Sequence, residues 1–163
     1  MRLRKLMAKD AKYMLEWMHD QDVVKDLSGS FATKKIDDCK RFIEQAQDTN
    51  TDLNLAIVDD SDEYMGTVSL KHIDRENSFA EFAVAIRAKA MGHGYSSYGM
   101  KEIIRLGHEE YGLATIYWCV GDYNKRAIRF YDKNGYVRTT DVPDGLKTHY
   151  SKQQLDNFYW YKA

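Results

Sequence analysis

The run Lys89-Ala90-Met91-Gly92-His93-Gly94-Tyr95-Ser96-Ser97 sets two glycines around a histidine, between an apolar stretch and a helical pattern. Glycines ahead of a helix let the backbone approach an anion, and the first-turn amides are unpaired and partly positive. This suits a phosphate or pyrophosphate; an ordinary strand-to-helix turn competes on equal terms. Two phosphate motifs are excluded. A dinucleotide fingerprint needs a third glycine near Ser97, and a P-loop needs Lys-Ser/Thr after Gly99, where Met100-Lys101 follow. A second run, NKRAIRFYDKNGY, opens on Asn124, which can cap a helix, and carries Gly135 where a left-handed C-terminal turn belongs. Ala127, Ile128 and Tyr131 share one face of that helix, so Tyr131 is either core or site. Glu81 interrupts the apolar FAEFAVAI, and a carboxylate there needs a partner or a cleft. Alone it reads first as a sheet-face acid paired with Lys or Arg.

Other chemistry is sparse. No His/Cys/Asp/Glu set has metal-ligand spacing, and HEEYG at 108–112 lacks a second histidine. GYSSYG is not a nucleophile elbow. His93 reads as facing solvent or phosphate, and His72, closing TVSLKH, as a loop histidine. Cys119 reads as a buried strand cysteine and, with Cys39, as a free thiol of a reducing cytoplasm.

The positioning elements follow from periodicity. Strands are expected at 2–6, 53–58, 64–70, 79–86, 115–120, from Gly135 onward, and at 157–162 closing the sheet. Helices are expected at 8–19, 34–47 (capped by Thr33), 95–111 and 125–133, with a loop over 20–33. DDSDE, at 59–63, reads as a solvated turn. Strand 79–86 is apolar on both faces and therefore central. The order β, α, α, β, β, β, α, β, α, β, β gives an α/β domain with a mixed sheet: 53–86 is a meander, and the 79–120 and 115–140 units are crossovers.

Composition bounds the function. The 163 residues fit one domain, 1–163, with a real core, and 24 basic residues nearly balance 25 acidic ones. A nucleic-acid or membrane-surface binder is expected to show a basic excess, so neither partner is expected. No apolar run reaches the length of a bilayer span, and the N-terminus lacks a signal-peptide pattern, so a cytoplasmic location is expected.

Taken with the element order, the glycine turn and the Asn-x-x-Ala-x-x-x-Tyr-x-x-x-Gly-Tyr block resemble the GNAT family of N-acetyltransferases over nearly the whole chain. The family's Arg/Gln-x-x-Gly-x-Gly/Ala motif is matched from Lys89 to Gly94, except that Lys89 keeps the charge without the planar fork. EWMHDQDVV is similar to a W-x-x-D-x-x-V stretch of the ribosomal-protein and amino-sugar acetyltransferase subgroups. An acid at the position of Glu81 occurs in the ribosomal-protein and polyamine subgroups.

The resemblance implies an α/β (α+β) fold, with a mixed, mostly antiparallel sheet of about seven strands, about four flanking helices and splayed central strands. It implies acetyl-CoA as cosubstrate and no metal. The pyrophosphate is then expected against Lys89, Gly92, His93, Gly94, Tyr95, Ser96 and Ser97. The pantetheine arm is expected along Val84, Ala85 and Ile86, with Asn124 and Tyr131 as further cofactor contacts. Tyr131 is the expected donor to the leaving thiolate and Glu81 the expected base or amine anchor. The expected acceptor is a primary amine of a small molecule, amino sugar or polyamine, or a peptide N-terminus. Glu16, Trp17, Asp20, Asp22, Asp26 and Phe31 are candidates for its mouth. A monomer or homodimer is expected. The alternative is a non-catalytic CoA-binding or regulatory domain on the same fold.

Overall fold

The computed structural model describes residues 1–27 and 29–163; Ser28, within the expected 20–33 loop, lies outside the described residues. The strands are β1 (Arg2–Lys5), β2 (Leu53–Val58), β3 (Tyr64–Asp74), β4 (Phe79–Ile86), β5 (Thr115–Gly121), β6 (Val137–Thr139) and β7 (Phe158–Lys162). The helices are α1 (Ala11–Met18), α2 (Gln21–Val24), α3 (Ile36–Gln45), α4 (Tyr95–Glu109), α5 (Lys125–Lys133), α6 (Asp144–Lys147) and α7 (Lys152–Asp156). One seven-stranded sheet runs β1-β2-β3-β4-β5-β7-β6. Every pairing is antiparallel except β4 with β5.

Several expectations are corrected. α2 lies within the expected 20–33 loop; Asp20 caps it by accepting from the Asp22 N–H at 3.0 Å, and Val23 is buried beneath it. α3 starts at Ile36 after Lys35 rather than at the Thr33 cap, and the Asp38 carboxylate accepts from the Lys35 N–H at 2.8 Å. α6 and α7 were not expected. β7 does not close the sheet but inserts between β5 and β6. Its Trp160 and Tyr161 are buried on opposite faces, which suits an interior strand, whereas Val137 and Arg138 of β6 are exposed and suit an edge. The acids of the 59–63 turn are not simply solvated: Asp62 accepts from Arg4 at 2.8 Å, and Glu63 accepts from Arg87 at 2.6 Å.

The two faces of the sheet carry different layers. On one, α4 packs Met100, Ile103 and Ile104 over Val68, Leu70, Ala80, Phe82 and Ile116. Gly99 and Gly107 permit that approach: a Cβ on either would stand 2.6 Å and 2.5 Å from Ile57 and Ile116 side chains. The other face carries two separate clusters. One joins α1 and α3 to Ala56, Val58 and Tyr64; the other gathers Phe79, Val142, Leu146 and Trp160. Between them the sheet shows small or polar residues (Thr67, Ser69, Ala83, Ala85), so this face has a valley instead of a continuous core.

Candidate active site

β4 and β5 pair only from Phe79–Glu81 to Thr115–Tyr117. Beyond that point β4 stays with β3 through Ile86, and β5 stays with β7 through Gly121. The β5-facing edge of β4 from Phe82 to Ile86 therefore has no strand partner among the described residues, the splay that the family resemblance implies. Here the valley deepens into a cleft of about 1150 Å³, lined from one face by Glu81, Ala83 and Cys119 and from the other by Phe82, Met100 and Tyr131. The cleft thus joins the two sides of the sheet.

β4 leads into the glycine turn. Gly92 and Gly94 take left-handed φ values of 79° and 85°, a region that glycine enters without penalty. The turn delivers the chain to the N-terminus of α4. The His93 amide bonds the Ala90 carbonyl at 3.3 Å and the Tyr98 amide bonds Gly94 at 3.0 Å, while the amides of Gly92, Gly94, Tyr95, Ser96 and Ser97 have no partner among the described residues. A cluster of free N–H groups at a fifteen-residue helix start has the chemistry of an anion cradle. Gly92, Gly94, Tyr95, Ser96 and Ser97 line the cleft; Lys89 and His93 do not. The Lys89 side chain is 58% exposed and its ammonium bonds Glu63 at 2.9 Å. Glu63 is held there with buried Arg87, which also forks onto Glu16 at 2.6 and 3.0 Å. Glu16, a candidate for the acceptor mouth, is thereby committed to the scaffold.

Val84, Ala85, Ile86, Asn124 and Tyr131 line the cleft as well. Asn124 caps α5, its Oδ1 accepting from the Ala127 N–H at 3.1 Å. That bond orients the side chain and leaves its NH₂ as a donor. Tyr131 packs in an aromatic cluster with Trp118, Tyr136 and Tyr161, and its hydroxyl has no hydrogen bond among the described residues. Burial, then Cys119, pushes that hydroxyl well above the usual tyrosine range, so it remains a proton donor at neutral pH.

Glu81 is 1% exposed and stands where β4 and β5 begin to part. Its Oε2 accepts from the Tyr150 hydroxyl at 2.7 Å and lies 3.9 Å from the Cys119 thiol. Its Oε1 has no hydrogen-bond partner among the described residues; the Lys71 ammonium is 3.5 Å away and His72 Nε2 3.8 Å. Burial, then the Glu81 charge, pushes the Cys119 thiol up to about 12, which leaves it protonated and a poor nucleophile. Tyr150 was not foreseen. It follows the short helix α6, 69 residues beyond Glu81, and no local pattern points from one to the other.

The acceptor-side candidates divide. Trp17 and Phe31 meet edge to face at 5.2 Å on the cleft wall, and the Trp17 indole donates to the buried Tyr64 hydroxyl at 3.1 Å. Asp22 and Asp26 line the cleft, joined by Asp38, whereas Asp20 is spent as the α2 cap. Lys25, Lys34, Lys71 and Arg126 line it too, so the wall is mixed in charge.

A family model for the acetyltransferase (GNAT) domain matches residues 1–137. The chain belongs to the GNAT acetyltransferases. The enzyme is 24% identical over 152 residues to an uncharacterized N-acetyltransferase p20 of Bacillus licheniformis, covering 88% of this chain and 85% of that one. Its fold is shared with spermidine N-acetyltransferase from Vibrio cholerae in complex with CoA and spermine: TM-score 0.81 at 16% identity, over 99% of this chain and 94% of that one. The spermidine/spermine N-acetyltransferase of the same organism in complex with manganese ions gives TM-score 0.72 at 17% identity, over 99% and 91%. The acetyltransferase uses acetyl-CoA as its cosubstrate. No helix among the described residues is long and apolar enough to cross a membrane.

Proposed function

We propose that this enzyme moves an acetyl group directly from acetyl-CoA to a primary amine of a small molecule. The observation that carries this reading is Glu81: a fully buried carboxylate, with one oxygen lacking a hydrogen bond, on the wall of a cleft that opens to both faces of the sheet. The free amides from Gly92 to Ser97 suit the pyrophosphate, and the unpaired edge of β4 suits the amide-bearing pantetheine arm. The NH₂ of Asn124 adds a donor for that arm. Lys89, held by Glu63, leaves the anion to backbone amides.

On this reading the donor and acceptor meet through the gap between strands. Glu81 takes a proton from the acceptor ammonium and so exposes the attacking lone pair. Backbone N–H groups of the β4 edge polarise the acyl carbonyl. Tyr131, on the α5 side, donates its proton to the leaving thiolate. Trp17, Phe31 and the carboxylates of Asp22 and Asp26 line the entrance that the amine uses. Polyamines are the first acceptor class to try, because the structural neighbours named above act on spermidine; amino sugars are the second, because the mixed charge of the wall also suits an amine bearing an anion.

The test measures CoA thiol release with spermidine, glucosamine and an alanyl peptide, and reads a one-acetyl mass gain in the product. Turnover with spermidine or glucosamine is expected, falling about 100-fold or more in Glu81→Gln while acetyl-CoA binding persists. A full rate in Glu81→Gln removes Glu81 from the reaction; turnover confined to the peptide overturns the small-molecule assignment.

A further inference from the structure

We infer that His72 is the proton exit for Glu81, an inference that rests on Glu81 being the base. Acetyl transfer to an ammonium forms an N–C bond, breaks a C–S bond and yields an amide, a thiol and one proton. A carboxyl group buried as deeply as Glu81 must pass that proton on before the next turnover.

The backbone of β3 is distorted at this point. Its pairing with β4 steps from Lys71–Glu81 to Asp74–Phe79, so three residues of β3 face two of β4. The extra residue is accommodated at His72, whose φ is 54°, a left-handed value uncommon outside glycine. The Asp52 carboxylate pins this turn by accepting the His72 N–H at 2.8 Å. In a regular strand Lys71 and His72 would point to opposite faces. The bulge brings both side chains within 4 Å of the same Glu81 oxygen, the one without a hydrogen bond.

Beyond Glu81, His72 lines a second, more open cavity of about 480 Å³ with Thr51, Asp74 and Arg75. One imidazole therefore links the buried carboxyl to water on a side away from the substrate cleft. His149 stacks on it, centroids 3.6 Å apart and rings 7° from parallel. Burial, then the stacked His149, lowers the His72 pKa, which favours the neutral imidazole that can accept a proton. By their ordinary values an imidazole binds a proton more tightly than a carboxylate does. The proton leaves Glu81 Oε1 for His72 Nε2, across 3.8 Å closed by a ring shift or one water, and the imidazolium yields it to the second cavity. The titratable and charged groups around His72 are Glu81, Lys71, Asp52 and His149, with Asp74, Arg75 and Glu76 across the cavity.

Two measurements on the full chain test this. Histidine side-chain NMR from about pH 5 to 8 needs no acceptor. Removing the carboxylate in Glu81→Gln should lower the His72 midpoint by about 0.8 pH units or more, the Coulomb value across this separation even at the dielectric of water. A shift below about 0.2 units overturns the coupling. In the second, His72→Gly suits the left-handed backbone and so keeps the fold, which circular dichroism verifies. With the panel amine that turns over fastest, kcat should fall about tenfold or more, KM for acetyl-CoA should hold, and added imidazole should restore the rate. An unchanged kcat, or a loss that imidazole does not repair, overturns the exit. If Glu81→Gln is inactive but His72→Gly is not, only the exit fails; if Glu81→Gln is fully active, the base assignment fails first.

Discussion

Tyr150→Phe removes a single oxygen and keeps the ring that packs on Phe158 and Trp160 at 5.1 and 5.9 Å. The lost hydroxyl makes the one strong hydrogen bond to Glu81, 2.7 Å to Oε2. A hydrogen bond to a charged group contributes about 1.5–3 kcal/mol. A chain of 163 residues loses roughly 2–4 °C of Tm per kcal/mol, so the span is about 3–12 °C. Tyr150 is only half-buried and water will replace part of the bond, which places the expected loss near the lower end, about 3–6 °C. Catalysis should suffer too, because Glu81 loses the contact that fixes its rotamer: kcat should fall about tenfold with KM for acetyl-CoA unchanged. Thermal denaturation and steady-state kinetics are run for Tyr150→Phe alone and in a Glu81→Leu background. If the hydrogen bond is responsible, the second comparison costs less than about 0.5 kcal/mol. An equal Tm loss in both backgrounds assigns the effect to packing and refutes the reasoning, as does a Tm within about 1 °C of the parent at full rate.

Tyr131→Phe should lower kcat about tenfold or more while acetyl-CoA affinity, read by calorimetry, stays constant; an unchanged kcat takes the hydroxyl out of the reaction. Gly92→Val should abolish acetyl-CoA binding and lower stability by about 1–3 kcal/mol, since a branched side chain is strained at a φ of 79° although nothing lies within 4 Å of its Cβ; normal binding would move the anion site elsewhere. Cys119, pushed up to about 12, should react with iodoacetamide at pH 8 about a thousandfold more slowly than a free thiol. The sign for stability follows from the same shift: between the ordinary thiol value of 9.0 and about 12 the unfolded chain has released a proton that the folded chain retains, so unfolding free energy falls as pH rises through that window. Cys119→Ala should flatten that part of the decline in urea titrations, and an unaltered slope would contradict it.

What the sequence made legible was local. FAEFAVAI and KRAIRFYDK matched their observed elements residue for residue, because apolar periodicity and a capping asparagine are written within ten residues. Of the two C-terminal helices, α7 left a readable signal that periodicity alone passes over: Ser151 and Gln154 form a capping box, each accepting the other's N–H, at 3.1 and 2.9 Å. The bulge also left one. Val68 and Leu70 alternate as a strand should, but the next apolar residue is Ile73, three positions on, and all three pack in the same cluster. An odd step between residues on one face requires an extra residue between them. Illegible were the long-range partners. Nothing near Lys89 shows that Glu63 will claim its ammonium, or near Glu81 that Tyr150 will supply its hydrogen bond, because those pairs arise only when the sheet is assembled.

The same assembly explains why a buried acid stands at Glu81 and not elsewhere along β4. Its neighbours at 79 and 83 share its face, but one packs under Leu146 and the other is an alanine in the open valley. Only at position 81 does the parallel pairing with β5 end while the bulge in β3 delivers Lys71 and His72 from the other side. A carboxylate one residue earlier would face α4 and the apolar layer, where an ion is far costlier. Two residues later it would stand past the last β4–β5 pair, Glu81 with Tyr117, and beyond the reach of the bulge. The strand split and the bulge select a single position for a buried acid, and the polar contacts that make its burial tolerable are the ones that give it a hydrogen-bond donor on one oxygen and a free lone pair on the other.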